Sequence, residues 1–183
     1  MWRISLAVAA AVSCAAPATP WRASPLVGKA VEIDGHTLDG REVRLPADGA
    51  KVTVVDFWAT WCEPCREQLP ALDRLSASLR DRGVQVFAIS FDEDRAAVEE
   101  FVARTPVRFP VLWEKGGTRL ADRLSLTRLP TTVILDGAGV VRAVHLGYDQ
   151  GQAAALEREV RRVLAEDGQR APGAASSASG GRS

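Results

Sequence analysis

Residues 51–72, "KVTVVDFWATWCEPCREQLPAL", constrain the fold more than any other part of the chain. The first nine, "KVTVVDFWA", form a nearly unbroken β-branched and aromatic run. A strand apolar on both faces belongs in the middle of a helix-covered parallel sheet. The period then changes. Leu69, Leu72, Leu75 and Leu79 fall at helical spacing, with Arg66, Glu67, Asp73, Arg74 and Arg80 on the other positions. Cys62 and Cys65 stand at the junction, at the carboxyl end of the strand, the edge where reaction sites in open α/β sheets gather.

The remaining pattern extends this unit. "VEIDGHTLDGREVRL" (31–45) alternates around Asp39-Gly40, a dipeptide that favours a tight primed hairpin turn. Gly83 is placed to C-cap the cysteine-bearing helix, and "VQVFAISF" (84–91) reads as a second buried strand. Asp92 and Asp94 are candidate N-caps for "RAAVEEFVAR", whose Val98, Phe101 and Val102 share one face. This acidic cluster is read as capping, not as a metal site. A short strand (109–113) and a short helix in "GTRLADRLSL" follow. Strands at 132–136 and 140–146 flank "DGAG", and Ala153, Leu156, Val160, Val163 and Leu164 mark a closing helix. The alternation predicts a three-layer α/β sandwich with a mixed sheet.

The ends differ from the middle. In "MWRISLAVAAAVSCAA" a single Arg3 precedes a short apolar stretch, Ile4 to Val12, too short to span a bilayer, so it reads as an export signal. "AVSC" resembles a lipoprotein lipobox, in which Cys14 would carry the lipid, whereas ordinary cleavage near Ala16 or Ala18 would remove it. The expected organisation is a signal and Pro-rich linker over 1–25, a folded domain over 26–166 and a disordered Ala/Ser/Gly tail over 167–183. A hydrophobic content of 46% suits a core of normal size without disulfide staples. Zero formal net charge gives no sign of a nucleic-acid or anionic-membrane surface.

Residues three apart on a helix have Cβ atoms about 5–6 Å apart, and a disulfide needs about 3.8 Å. Cys62 and Cys65 can therefore bridge with little movement and part again. Unpaired N–H groups and the macrodipole at a helix N-terminus stabilise an anion by about 0.3–1 kcal/mol at an exposed site. Cys62, ahead of the first turn, gains most, and Cys65 lies further in. The asymmetry makes Cys62 the nucleophile and Cys65 the resolving thiol. Pro64 is tolerated in the first turn, where its missing N–H costs nothing. A purely structural disulfide closing so short a loop would remove little unfolded-state entropy. A zinc site needs about four ligands, and the only histidines, His36 and His145, are scattered.

On "FWATWCEPC", then Leu69-Pro70, then "LPTT" at 129–132, the chain resembles the thioredoxin-fold TlpA/ResA/DsbE-like thiol-disulfide oxidoreductases. The leader hairpin and the extra segment over 91–113 also suit that group. The resemblance implies a thioredoxin fold with an N-terminal β-hairpin extension and a βα insertion before a cis-proline at Pro130. It implies that Trp61, Leu129, Pro130 and Thr131 frame an apolar groove where a substrate strand docks, and that the enzyme needs no cofactor and no metal. It implies a place on the periplasmic side of a bacterial membrane, reduction of disulfides in apocytochrome c or copper-assembly proteins, and re-reduction by a membrane donor of the DsbD/CcdA type.

Two departures stand out. The group commonly carries Glu where this chain has Gln68, and Glu67, about 100° away around the helix, should not substitute. Asp56 meanwhile occupies the place where thioredoxins bury an aspartate and this group often has Asn. Burial raises a carboxyl pKa, so Asp56 is expected to accept the Cys65 proton in the role Gln68 cannot fill. Glu63, between the cysteines, opposes the helix field and points to a moderate Cys62 pKa, hence to a reductase. Two rivals fit less well. A thiol peroxidase of the peroxiredoxin kind would need a proline that "DFWATWC" lacks. A copper-binding chaperone would need wider cysteine spacing and a downstream histidine, for which only His145 offers itself.

Overall fold

A computed structural model describes residues 24–170 of the 183-residue chain. The elements run β1 (Ile33–His36), β2 (Glu42–Leu45), β3 (Val52–Trp58), α1 (Glu63–Leu79), β4 (Val84–Ser90), α2 (Arg95–Arg104), β5 (Val111–Trp113), α3 (Thr118–Leu124), β6 (Thr131–Asp136), β7 (Val141–Leu146) and α4 (Gln150–Arg170). Five strands form one sheet in the order β5-β4-β3-β6-β7. β3, β4 and β5 are parallel, β6 is antiparallel to β3, and β7 is antiparallel to β6.

The apolar run 52–58 takes the central position, and every one of its residues is buried. Alternation then sorts its side chains between two layers. Val52, Val54 and Trp58 pack with Leu69 and Leu72 of α1, Val98 of α2, and Leu156 and Val160 of α4. Val55 and Phe57 pack with Leu120 and Leu124 of α3 and with Ile33 and Leu45 of the β1-β2 hairpin. The result is the three-layer mixed-sheet sandwich that the pattern predicts. Asp56, in step with Val54 and Trp58, is thereby placed on the α1 face.

Several details depart from expectation. The β1-β2 pairing matches Ile33 with Leu45 and His36 with Glu42. The Thr37 N–H donates to the Arg41 carbonyl at 2.9 Å, leaving Leu38, Asp39 and Gly40 as the loop. Of these only Gly40 has positive φ, at 84°. A two-residue primed turn needs positive φ at its first residue as well. This three-residue turn instead leaves Thr37 Oγ1 free to donate to Asp39 and to accept the Arg41 N–H. Gly83, at φ 91°, caps not α1 itself but the 3₁₀ turn Arg80–Arg82 that prolongs it. Asp94 caps α2, accepting the Ala96 N–H at 2.9 Å, whereas Asp92 does not cap that helix. α4 continues to Arg170, four residues into the stretch expected to be a disordered tail. Cys14 and the signal segment lie outside the described residues.

The hairpin is part of the core and not an appendage. Ile33 and Leu45 are fully buried, Leu38 N–H donates to the Val111 carbonyl at 3.0 Å, and Thr37 bridges to Leu112. Leu45→Ala should therefore lower stability by about 2–5 kcal/mol, the cost of emptying a buried leucine site. Urea unfolding with an unchanged m-value checks this; a loss within about 0.5 kcal/mol, as for a surface change, would detach the hairpin from the core.

Candidate active site

Cys62 is the N-cap of α1. Its backbone is extended, at φ −89° and ψ 105°, and its sulfur accepts the Cys65 N–H at 3.3 Å. The Cys62 carbonyl accepts the Arg66 N–H at 3.2 Å, so helical bonding begins with this cysteine itself. Pro64 sits in the first turn, where no N–H is missed. Farther along, Pro70 removes one bond from the helix interior, yet α1 persists because Leu69, Leu72 and Leu75 hold its inner face to the sheet.

Cys62 and Cys65 are joined by a disulfide of S–S 2.00 Å with Cα atoms 5.3 Å apart. The two sulfurs are not equivalent. Cys65 is fully buried, whereas Cys62 keeps 7% of its surface exposed. Beside it, Trp61 is 71% exposed, unusual for so large an apolar side chain.

One helical turn beyond Cys65, on the same inner face, lies Gln68. Its Nε2 donates to Asp56 Oδ1 at 3.2 Å and to Thr132 Oγ1 at 2.7 Å. Thr132 Oγ1 in turn donates to Asp56 Oδ1 at 2.7 Å. Asp56 is fully buried and its Oδ2 has no hydrogen-bond partner. Burial pushes its carboxyl up to about 7, against the opposing effect of the Thr132 hydrogen bond. Gln68 therefore occupies the place of a second carboxylate without bringing its charge, and anchors the first as a donor.

The Leu129–Pro130 peptide bond is cis, as the resemblance implies. Pro130 is buried and Leu129 half-buried, packed against the core on both faces of the sheet. Thr131 corrects the expected groove. It is fully buried opposite Phe57 in the β3-β6 register, and its hydroxyl donates to the Arg128 carbonyl at 2.7 Å. Its side chain holds the loop before the proline and has no exposed surface to line a groove. His145 is also buried, and desolvation lowers its pKa to about 4, with the nearby Glu159 acting in the opposite direction. Among the described residues no group of three or more His, Cys, Asp or Glu side chains is arranged to hold a metal ion.

Two features escaped sequence reading. Leu146, the other exposed large apolar residue among the described residues, pairs across the sheet with Thr131, and the Gly147 N–H donates to the Pro130 carbonyl at 2.7 Å. It adds apolar surface at the same edge as Pro130, a juxtaposition visible only through the β6-β7 register. Asp92, read as a cap, instead reaches the loop ahead of Cys62 through Thr60.

With this geometry in place, comparison is informative. Residues 24–164 match the Redoxin family. The chain belongs to that family. Among curated relatives it is 34% identical over 104 residues to the thiol-disulfide oxidoreductase ResA of Bacillus cereus, covering 57% of this chain and 60% of that protein. It is 35% identical over 122 residues to the thioredoxin-like protein YneN of Bacillus subtilis, covering 65% and 70%. The chain thus spans about 60% of the length of the ResA relative. A solved structure from Chlorobium tepidum, provisionally assigned as a thiol:disulfide interchange protein DsbE, superposes with a TM-score of 0.71 at 27% identity, covering 77% of this chain and 99% of that one. The chain thus shares the thioredoxin-type fold of these proteins and is similar in sequence to the ResA/DsbE-like thiol-disulfide oxidoreductases.

The buried Asp56 makes stability depend on pH. Its folded pKa, about 7, lies above the ordinary carboxyl value of 3.8. The native state therefore holds a proton that the unfolded state has lost, and stability falls as pH rises between those values. For the oxidised protein, urea unfolding should show a loss approaching about 4 kcal/mol from this group between pH 4 and pH 8. Asp56→Asn should remove most of that slope; equal slopes in both proteins would mean that Asp56 is ionised throughout.

Proposed function

We propose that the chain is an exported thiol-disulfide oxidoreductase that reduces disulfides in partner proteins. The observation that carries this reading is the inequality of the two sulfurs. Cys62 caps α1 at the sheet edge and keeps some exposure beside the open indole of Trp61, while Cys65 is sealed below it.

In the reduced protein, the Cys62 thiolate attacks one sulfur of a partner disulfide and releases the other as a thiolate. Cys65 then passes its proton towards Asp56 and attacks the Cys62 sulfur. The S–S bond between Cys62 and Cys65 forms, the mixed disulfide breaks, and the second partner sulfur leaves. Two electrons pass to the partner, which takes up the protons, and the chain is left in the disulfide form seen here. Burial raises the Asp56 pKa to about 7, so both of its forms are populated near neutral pH; the ionised form takes the Cys65 proton and the neutral form that results leaves no charge in the core.

Trp61 beside Cys62, and Leu129 and Leu146 beside Pro130, supply apolar surface suited to an extended partner segment. The family resemblance points to apocytochrome c or copper-assembly proteins as substrates and to a DsbD/CcdA-type membrane donor as reductant. The N-terminal sequence suits export to the periplasmic side with a lipid anchor on Cys14. No helix among the described residues is long and apolar enough to cross a membrane.

Cys65→Ser should accumulate partners as mixed disulfides on Cys62, identified by non-reducing capture and mass spectrometry. Cytochrome or copper-centre assembly proteins are expected, and Cys62→Ser should capture none. Adducts absent from position 62 would reject the reading. Asp56→Asn should slow resolution of a preformed Cys62 mixed disulfide near pH 7 by at least about 10²-fold, the lower end of what a positioned base contributes. Stopped-flow Trp fluorescence follows this step, and an unchanged rate would remove Asp56 from the proton pathway.

A further inference from the structure

The loop between β3 and α1 is very short. After Trp58 only Ala59, Thr60 and Trp61 precede Cys62. The Cys62 N–H donates to the Ala59 carbonyl at 3.2 Å, closing a turn whose two central residues are Thr60 and Trp61. Trp61 is largely exposed and its side chain contributes little packing to hold that turn. What holds it lies across the sheet edge, 32 residues away in sequence.

Asp92, two residues beyond β4, is 4% exposed. Its Oδ2 accepts the Thr60 N–H at 3.0 Å, and its Oδ1 accepts the Thr60 hydroxyl at 2.5 Å and the same N–H at 3.3 Å. Ser90 Oγ donates to Oδ2 at 2.7 Å and fixes the carboxylate from behind. The backbone of Asp92 is anchored too. Its carbonyl accepts the Trp113 indole N–H at 2.8 Å and the Gly116 N–H at 3.3 Å. The adjoining Phe91 N–H donates to the Trp58 carbonyl at 2.9 Å. A buried carboxylate with this set of donors, all spent on one neighbouring residue and one support, does more than satisfy itself. It clamps both hydrogen-bond donors of Thr60.

We propose that Asp92 is a positioning residue for the nucleophile, which through Thr60 holds the turn that presents Trp61 to the partner and seats Cys62 as the cap of α1. The inference rests on the oxidoreductase reading but concerns residues outside the cysteine pair and the Asp56 cluster. Two consequences follow. With the clamp in place, the extended Cys62 backbone stays fixed, and its sulfur keeps the Cys65 N–H and the helix N-terminus within reach. Without it, the turn samples other conformations, and the thiolate loses that stabilisation for part of the time. Trp61 loses its fixed direction with it, because so exposed a side chain has little packing to aim it.

Thr60→Val tests this with little change of shape and with the Asp92 charge retained; it removes only the hydroxyl donor. The full chain is reduced and alkylated with iodoacetamide over about pH 5–9, spanning the range of activated and ordinary thiols. Modification of Cys62 is then followed by peptide mass mapping. Thr60→Val should raise the midpoint of Cys62 alkylation by about 0.2–0.7 pH unit, the pH equivalent of the field at a helix N-terminus. Thr60→Ser, which restores the donor, should return the curve to that of the parent protein. A merely structural role for Thr60 would change the unfolding midpoint without moving this curve. Should Thr60→Val not fold, Thr60→Ala is read in the same way. A parent protein whose Cys62 titrates no lower than an ordinary thiol would overturn the functional reading itself. A parent curve in the expected range that Thr60→Val leaves unmoved, or a shift that Thr60→Ser does not reverse, would overturn this inference alone.

Discussion

The capping of α1 by a cysteine is the interaction on which the rest of the site depends. An N-cap residue is normally a small oxygen-bearing side chain that accepts an N–H from the first turn. Here a sulfur takes that place, accepting the Cys65 N–H. The same geometry that satisfies an otherwise orphaned donor brings the two sulfurs within bonding range and exposes one of them to the helix field. In the proposed function, structural capping and redox chemistry use one atom. The fold serves this atom by placing the all-buried strand β3 directly before it, so that the loop feeding the cap has no slack.

Beneath the cap, the core makes a choice about charge. A pair of buried carboxylates at positions 56 and 68 would repel, and one would be held protonated by its neighbour. With Gln68 the second group is neutral, donates to both Asp56 and Thr132, and leaves burial as the main force on the aspartate. The cost is visible in two buried oxygens without partners, Asp56 Oδ2 and Gln68 Oε1. Buried polar atoms left unpaired are expensive. Their persistence beneath a reactive pair fits a site kept for chemistry more than for stability.

Much of this architecture was legible because its signals are local. The run from Val52 to Trp58 and the leucines from Leu69 to Leu79 each state their period within one element, and the cysteines mark the seam. Asp56 was legible too, since its phase with Val54 and Trp58 fixes which face it joins. What failed to show depends on pairing between distant segments. Asp39-Gly40 is compatible with loops of either length, and the register set by burial of Ile33 and Leu45 chose between them. Thr131, next to a proline, read as a surface residue until its pairing with Phe57 placed it inside. Leu146 gained meaning only from its place opposite Thr131. Asp92 resembled a helix cap because a cap two residues on, Asp94, was equally plausible locally, and only the folded chain brings Thr60 to it.

The unequal activation of the two sulfurs can be measured directly. Reduced protein is treated at a single mildly acidic pH with a limiting amount of alkylating reagent, the reaction is quenched, and the remaining thiols are labelled with its isotopically heavy form. The light-to-heavy ratio is then read separately at each cysteine. If the α1 N-terminus activates the exposed sulfur and the core shields the other, the light label concentrates on Cys62 and Cys65 carries mostly heavy label. Equal ratios at the two positions, or light label on Cys65 ahead of Cys62, would show that the cap does not single out the nucleophile.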